Sequence, residues 1–267
     1  TYARSRSNRG AFAGYAARLG RHDLELAARF DDNSQFGDAT TGSAGWGWHA
    51  SDTVPLRAGW GEGFRAPSFN ELYSPGFGGR FAGNPALAPE RSRSLELGLD
   101  WLPADGQRLG LSAYRSHIRD LISFTGPNSQ AINIARAEID GVEADYAGRF
   151  GRWDLSGNLG WLDPINADTG QRLLRRARHR ANASVAHHFD GGLMLALDAG
   201  HAGPRGDIGA TLPTYTVWHL RAALPLGQAW RIEARVENLF DKDYELVRGY
   251  NTPGRSVVFG LHWSPPR

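Results

Sequence analysis

The stretch Ser94-Leu95-Glu96-Leu97-Gly98-Leu99-Asp100-Trp101 alternates polar and apolar residues without a break. Because successive side chains of a β-strand point to opposite faces, this stretch predicts a strand with one apolar and one polar face. The same period of two recurs in the segments 23–30, 153–161, 230–237 and 256–263. The alternation therefore predicts an all-β fold.

The apolar faces of these strands contain many Ala and Gly residues at their centres and Trp, Tyr or Phe near their ends. The chain of 267 residues has 34 Gly and 9 Trp but only one Met. A face packed against a second sheet needs bulky residues throughout to fill a core. A strand that faces lipid places aromatic rings at the two membrane interfaces instead. The distribution favours strands that cross a membrane.

The connections between these strands alternate in length. Short, turn-forming connections lie near 20–22, 51–52, 103–106, 150–151, 190–192 and 225–227, and long polar ones at 31–43, 65–91, 119–131, 163–178, 201–213 and 239–252. Regular alternation of this kind is typical of antiparallel up-and-down transmembrane β-barrels, which have tight turns on one side and long loops on the other. We expect about 13 strands, and a soluble β-propeller or sandwich that binds carbohydrate is the alternative from another class.

A sheet of this width with open edges cannot face lipid, because its unpaired backbone groups would find no hydrogen-bond partners there. The chain also begins at Thr1 without a signal peptide. We therefore expect residues 1–267 to be the C-terminal part of a larger barrel, with its earlier strands supplied by preceding sequence.

Composition excludes several other classes. No apolar run approaches the roughly 18 residues of a membrane-spanning helix. The 30 basic residues are interleaved with 28 acidic ones, for a net charge of +2, so we expect no nucleic-acid partner. The absence of cysteine excludes disulfides, thiol nucleophiles and zinc bound by cysteine.

Sites for metals and for catalysis are also not expected. The acidic segment Asp31–Asp38 could offer oxygen ligands to calcium, but it lacks the Gly and terminal Glu spacing of an EF-hand, so a solvated loop is the preferred interpretation. No HExxH or GxSxG motif occurs, and no nucleophile and base are credibly paired. We predict no enzyme, no cofactor and no metal.

The strongest basic run is the segment 172–180, which reads Arg-Leu-Leu-Arg-Arg-Ala-Arg-His-Arg. One interpretation is an outer-face patch for anionic lipid headgroups. The other is a set of hydrogen-bond donors for an anionic or phosphate-bearing ligand in an extracellular loop. The residues alone leave both open.

Several motifs resemble those of TonB-dependent outer-membrane receptors. One of them is Glu71-Leu72-Tyr73. Generic ones are Arg65-Ala66-Pro67, which follows Phe64, Asn84-Pro85 with Leu87 and Pro89-Glu90, and Asn238-Leu239-Phe240-Asp241-Lys242-Asp243-Tyr244. Two further pieces, Asp31-Asp32-Asn33-Ser34-Gln35-Phe36-Gly37 and Leu173-Leu174-Arg175-Arg176-Ala177, resemble the vitamin B12 (cobalamin) branch in particular. The resemblance covers essentially the whole chain.

This resemblance implies a plugged barrel of about 22 strands, integral to the outer membrane of a Gram-negative bacterium. It implies import of cobalamin driven by the TonB complex, which would act through an N-terminal plug domain absent from this chain. It also implies that Arg175 contacts cobalamin, with Arg176 as a neighbouring ligand-binding candidate. Outer-membrane lipid and lipopolysaccharide would surround the barrel.

Two departures from the family pattern and one alternative remain. The connection 201–213 is short, so a further ligand contact expected there cannot be assigned to a residue. Residues 264–267 extend beyond Trp263, the aromatic residue expected to end the last strand. A receptor for a ferric siderophore or haem would share all of the generic motifs.

Overall fold

A computed structural model describes residues 3–125 and 128–265. Thirteen strands form one sheet in which each strand pairs with the next long strand along the chain. They are β1 (Asn8–Leu19), β2 (His22–Asn33), β3 (Gly37–Ser51), β4 (Val54–Arg65), β5 (Glu90–Trp101), β6 (Gln107–Thr125), β7 (Gln130–Phe150), β8 (Trp153–Asn166), β9 (His179–His188), β10 (Met194–Ala202), β13 (Tyr215–Leu226), β14 (Trp230–Glu237) and β17 (Ser256–Trp263). The predicted all-β fold and the number of strands are confirmed.

Two short hairpins and one short helix lie in the long connections. The hairpins are β11 (Arg205–Asp207) with β12 (Ala210–Leu212), and β15 (Glu245–Val247) with β16 (Tyr250–Asn251). The helix α1 spans Phe69–Tyr73, and one 3-10 turn spans Asp190–Gly192. Within the described part of the chain, no helix has the length and apolar character needed to cross a membrane.

The chain forms two compact units. The first comprises the residues up to Asp100 with Ser112–Val142 and Leu162–Leu174. The second comprises Trp101–Leu111, Glu143–Trp161 and the residues from Arg175 onward.

The apolar faces of the strands are exposed in both units. Leu95 and Leu97 are 51% and 56% exposed in the first unit, and Leu159 and Phe259 are 64% and 76% exposed in the second. Large aliphatic and aromatic side chains in such numbers would be an aggregation hazard in water, whereas lipid solvates them without a covering layer of protein. The exposure argues against a sandwich, in which these faces would be buried.

Aromatic rings gather beside the short turns, as the sequence predicts. Trp46 and Trp48 stack with each other and with His22, which follows the turn at Gly20 and Arg21. Gly20 has a φ of +62°, a conformation that this tight hairpin requires and that glycine adopts without strain. Rings at this level are typical of the interfacial girdle of a membrane strand.

Two of the predicted long connections are wrong. In place of a loop at 31–43, β2 and β3 pair as far as Asn33 and Gly37. The Asn33 side chain closes the turn by accepting hydrogen bonds from the backbone N–H groups of Gln35 and Phe36, both at 3.1 Å. The connection at 119–131 is likewise mostly strand, because β6 extends to Thr125 and β7 begins at Gln130. Polar residues on both faces conceal the alternation at Asp31–Asn33, and the adjacent apolar residues Leu121 and Ile122 interrupt it in β6.

Candidate functional site

The basic run 172–180 lies between β8 and β9 and becomes a strand only at His179. In the first unit, Leu173 is buried and its backbone N–H donates to the carbonyl oxygen of Pro164 at 2.9 Å. In the second unit, Ala177 is fully buried. These apolar side chains hold the run in place, and the Arg178 guanidinium lies 5.4 Å from the centre of the Trp161 ring.

Arg175 is held by the hairpin of β11 and β12. Its backbone has a φ of +61°, and its N–H donates to the carbonyl oxygen of Gly206 at 2.7 Å. Its side-chain Nε donates to Asp207 Oδ1 at 2.9 Å. The Arg175 side chain is 32% exposed, and its two terminal amino groups form no hydrogen bond within residues 3–125 and 128–265.

Asp207 is the acceptor at the centre of this arrangement. Its side chain is 1% exposed, and it also accepts hydrogen bonds from the backbone N–H groups of Ile208 at 2.7 Å and Arg248 at 2.8 Å. Burial by itself would raise the pKa of Asp207, but the two backbone donors and the Arg175 guanidinium together hold that pKa below its usual range. The carboxylate is therefore charged at neutral pH.

Arg205 connects the same hairpin to the connection 238–255. It is buried, its Nη2 donates to the carbonyl oxygen of Glu245, and its guanidinium lies 5.3 Å from the centre of the Tyr215 ring. Tyr215 in turn stacks on Tyr244, with their ring centres 4.4 Å apart. We call Arg175, Arg205, Asp207 and Arg248, with Tyr215 and Tyr244, the Arg175–Asp207 cluster.

Arg176 is not part of this network. Its side chain is exposed and has no hydrogen-bond or ion-pair partner among residues 3–125 and 128–265. The structure thus separates the two predicted ligand-binding residues. Arg175 is anchored at one nitrogen, whereas Arg176 is free.

Asp207 is the residue that the sequence reasoning missed. The family resemblance predicts a longer connection at 201–213, and it assigns no ligand contact to a residue there. The signal was present, because Asp207 is the one acidic residue between His201 and Pro213. An isolated carboxylate in a connection close to arginine-rich segments is a candidate ion-pair partner.

The Arg65–Glu90 motifs in the first unit have a structural role. Ser68 caps helix α1 by accepting from the Glu71 N–H at 3.2 Å, and Glu71 accepts from the Ser68 N–H at 2.7 Å. The Arg65 guanidinium bridges Glu71 at 3.0 Å and Glu90 at 2.7 Å. Leu72 of the helix is fully buried and packs in an apolar cluster with the buried side chains of Leu87, Ile122 and Ala131.

The motif that begins at Asn238 also closes a loop. Asn238 is buried with a φ of +48°, and its amide exchanges hydrogen bonds with the Lys242 backbone at 2.8 and 3.0 Å. Asp241 Oδ1 accepts from the backbone N–H of Arg255 at 2.7 Å. Such loop closures explain why these motifs identify a fold without identifying a ligand.

The acidic segment at Asp31 offers no cluster of oxygen ligands. Asp31 is paired with Arg29, whose Nε lies 2.6 Å from its Oδ2, and it accepts from Asn8 Nδ2 at 2.8 Å. Among the residues that the structure describes, no group of three or more His, Asp or Glu side chains could hold a metal ion.

Comparison with known proteins gives the family. Residues 1–239 match the model described as TonB dependent receptor-like, beta-barrel. The chain belongs to the TonB-dependent receptor family. This is a family of receptors and transporters and not an enzyme class, and membership implies an integral outer-membrane protein.

Among the relatives of this TonB-dependent receptor chain is the vitamin B12 transporter BtuB of Vibrio vulnificus (strain YJ016). It is 36% identical over 246 residues, which cover 90% of this chain and 38% of that protein. The chain therefore spans well under half of that relative's length.

Solved structures show the same fold. The copper transporter OprC superimposes with a TM-score of 0.81 at 22% identity, over 96% of this chain and 48% of that one. A variant of the ferric enterobactin receptor PfeA from Pseudomonas aeruginosa gives a TM-score of 0.79 at 22% identity, over 95% and 44% of the two chains. Sequence identity at this level supports the fold and does not identify the ligand.

Proposed function

We propose that this chain is part of a TonB-dependent transporter that imports vitamin B12 (cobalamin) across the outer membrane of a Gram-negative bacterium. The observation that carries the proposal is the identity of 36% with a vitamin B12 transporter over 90% of the chain. The motif Leu173-Leu174-Arg175-Arg176-Ala177 adds support, because it resembles the cobalamin branch and lies in the connection that presents the cluster.

In this proposal the 267 residues form the C-terminal part of the barrel. The plug domain and the segment that contacts TonB belong to preceding sequence, and the TonB complex acts through them. This part contributes wall, loops and a portion of the ligand surface. No covalent chemistry is required of it.

Arg175 and Arg176 are the proposed ligand contacts. Asp207 fixes Nε of Arg175, so the two terminal amino groups of the planar guanidinium are held in a defined position. Cobalamin carries amide groups and a phosphodiester, and both accept hydrogen bonds from a guanidinium. A side chain that is ordered before binding loses less conformational entropy when the ligand arrives.

The test uses the full-length receptor in detergent and two titrations, one with cyanocobalamin and one with a ferric catecholate siderophore. We expect saturable binding of cyanocobalamin and a loss of about tenfold or more in affinity for Arg175→Ala, the effect of losing a charged hydrogen bond. A smaller loss is expected for Arg176→Ala, which lacks an anchor.

The matched control is Arg152→Ala. Arg152 is an exposed, ion-paired arginine in the short turn between β7 and β8, with its Nη2 2.6 Å from Asp190 Oδ1. This variant should bind cyanocobalamin like the wild type. Binding of the siderophore but not of cyanocobalamin would replace the proposal with the siderophore alternative. Unchanged affinity in Arg175→Ala would remove that residue from the site.

A further inference from the structure

Strands β5, β6 and β7 carry charged side chains on the same face as their exposed apolar residues. On β5, Arg91 and Arg93 continue the series of Leu95 and Leu97 at intervals of two residues, and all four side chains are exposed. On β7, Arg136 lies on the face of Val142, which is 51% exposed. The apolar face of these strands thus ends in a charged zone next to the long connections.

The register of β6 on β7 places two arginines side by side. Two contacts between the strands fix it, with Arg115 Nε 2.6 Å from Asp140 Oδ1 and His117 Nε2 3.8 Å from Glu138 Oε1. The next position of this antiparallel register on the same face puts Arg119 opposite Arg136.

The register of β5 on β6 adds a third arginine. The Ser94 and Ser116 hydroxyl oxygens lie 2.7 Å apart on the opposite face. Three residues further along each strand, this register puts Arg91 opposite Arg119. Arg91, Arg119 and Arg136 therefore form one row across three adjacent strands, and they border a common hollow of about 420 Å³. We call these three residues the arginine row.

The arginine row has few negative partners, because the two carboxylates that border the same hollow, Glu62 and Glu138, are engaged by Arg93 and His117. Arg93, closer to the apolar zone, is balanced by Glu62 at 2.9 Å, and Arg136 is paired with Asp168 at 2.6 Å. Arg91 instead lies over the Phe64 ring at 5.4 Å. Arg119 has no ion-pair or hydrogen-bond partner in the part of the chain that the structure describes. Like charges directly opposite one another destabilise a sheet, so a shared anion would stabilise this row.

We propose that the arginine row binds the phosphate of an outer-leaflet lipid, whose acyl chains lie along the apolar face below it. Arg91 precedes Leu95 by four residues on β5. The Arg91 position therefore lies about 13 Å from Leu95 along the strand, on the side of the long connections. Long basic side chains at a membrane interface reach toward lipid headgroups, and guanidinium groups bind phosphate through paired hydrogen bonds. The ligand is a phosphorylated lipid and lies outside the Arg175–Asp207 cluster.

The test measures lipid binding to the full-length receptor in detergent by native mass spectrometry. The probes are bisphosphorylated lipid A, the same lipid A without its phosphates, and inorganic phosphate as a competitor. We expect the bisphosphorylated lipid to bind at least tenfold more tightly than the dephosphorylated one. We expect Arg119→Gln to lower the affinity for the bisphosphorylated lipid about tenfold, which is the effect of losing a charged hydrogen bond. Arg119→Lys keeps the positive charge and should restore part of this affinity.

Arg93→Gln is the matched control, because Arg93 is an exposed arginine of the same face that already has the Glu62 partner. It should change lipid affinity less than Arg119→Gln does. Both variants should bind cyanocobalamin like the wild type, which separates this proposal from the import proposal. Both should also migrate like the wild type on a gel with and without heating, which shows that the barrel is folded. Equal binding of the two lipids, or no effect of Arg119→Gln, would overturn the phosphate site. Displacement of lipid by inorganic phosphate at equal concentration would assign the row to free phosphate.

Discussion

Two of the long connections are held in different ways. The connection 66–89 in the first unit is secured by a buried apolar cluster around Leu72 and by the capped helix α1. The Arg175–Asp207 cluster in the second unit has a single buried carboxylate at its centre, which accepts from the Arg175 guanidinium and from two backbone N–H groups. The first connection is held by side chains that are buried, whereas the second leaves the Arg175 guanidinium partly exposed. This difference distinguishes a structural connection from one suited to hold a ligand.

The largest effect is expected from removing the carboxylate of the second region. Asp207→Ala leaves Arg175 without its acceptor and two backbone N–H groups unpaired. Loss of one partner of a buried ion pair costs about 3–5 kcal/mol, so local ordering of 172–178 and 245–251 should be lost. Hydrogen exchange of these segments measures the change.

The control for this variant is Asp190→Ala, since Asp190 is 86% exposed and pairs with Arg152 at a short turn. An exposed pair contributes about 0–1 kcal/mol, so exchange in the cluster should stay at the wild-type rate. If Asp207→Ala also left the exchange of 172–178 unchanged, the carboxylate would not be what holds Arg175.

In the connection 66–89, the largest loss of stability is expected from a substitution in the apolar cluster around Leu72. Leu72→Ala removes a fully buried side chain and should cost roughly 3 kcal/mol, because the surrounding residues cannot close the cavity completely. Exchange and proteolysis within 66–89 should increase, while the Arg175–Asp207 cluster keeps its protection. Leu95→Ala, at an exposed position of the sheet, is the matched control. Loss of protection in both regions would show that they are not independent.

A smaller effect is expected at the helix cap. Ser68→Ala removes the acceptor for the Glu71 N–H and should cost about 1 kcal/mol, the usual contribution of an N-cap. Glu71→Gln retains an acceptor for the Ser68 N–H but weakens the ion pair with Arg65. Comparing exchange at 69–73 in the two variants separates the cap from the ion pair. Equal exchange in Ser68→Ala and the wild type would contradict a stabilising cap.

The sequence predicts the sheet much better than the loops. Thirteen strands and their apolar faces follow from alternation, which is a local property of each strand. The alternation disappears at polar strand ends such as Asp31–Asn33, so the sequence predicts a loop there. Arg175 could be named from a resemblance, but its partner Asp207 is 32 residues away. Local periodicity carries no information about which distant carboxylate an arginine contacts, and the arginine row likewise needs the strand register.

The smallest effect on hydrogen exchange is expected from lowering the pH from 8 to 5. The pKa values of Asp207 and Glu71 both lie below their usual ranges, in each case because hydrogen bonds and an arginine outweigh the opposing effect of burial. A carboxyl group with a lowered pKa stabilises the fold above its unfolded pKa, about 3.9 for Asp, and loses that contribution as the pH falls through the folded value. Exchange in 66–89 and 172–178, corrected for its intrinsic pH dependence, should therefore stay constant down to about pH 5 and rise only below about pH 4. If protection of 172–178 were lost near pH 6 while that of 66–89 persisted, a group other than Asp207 would control the cluster.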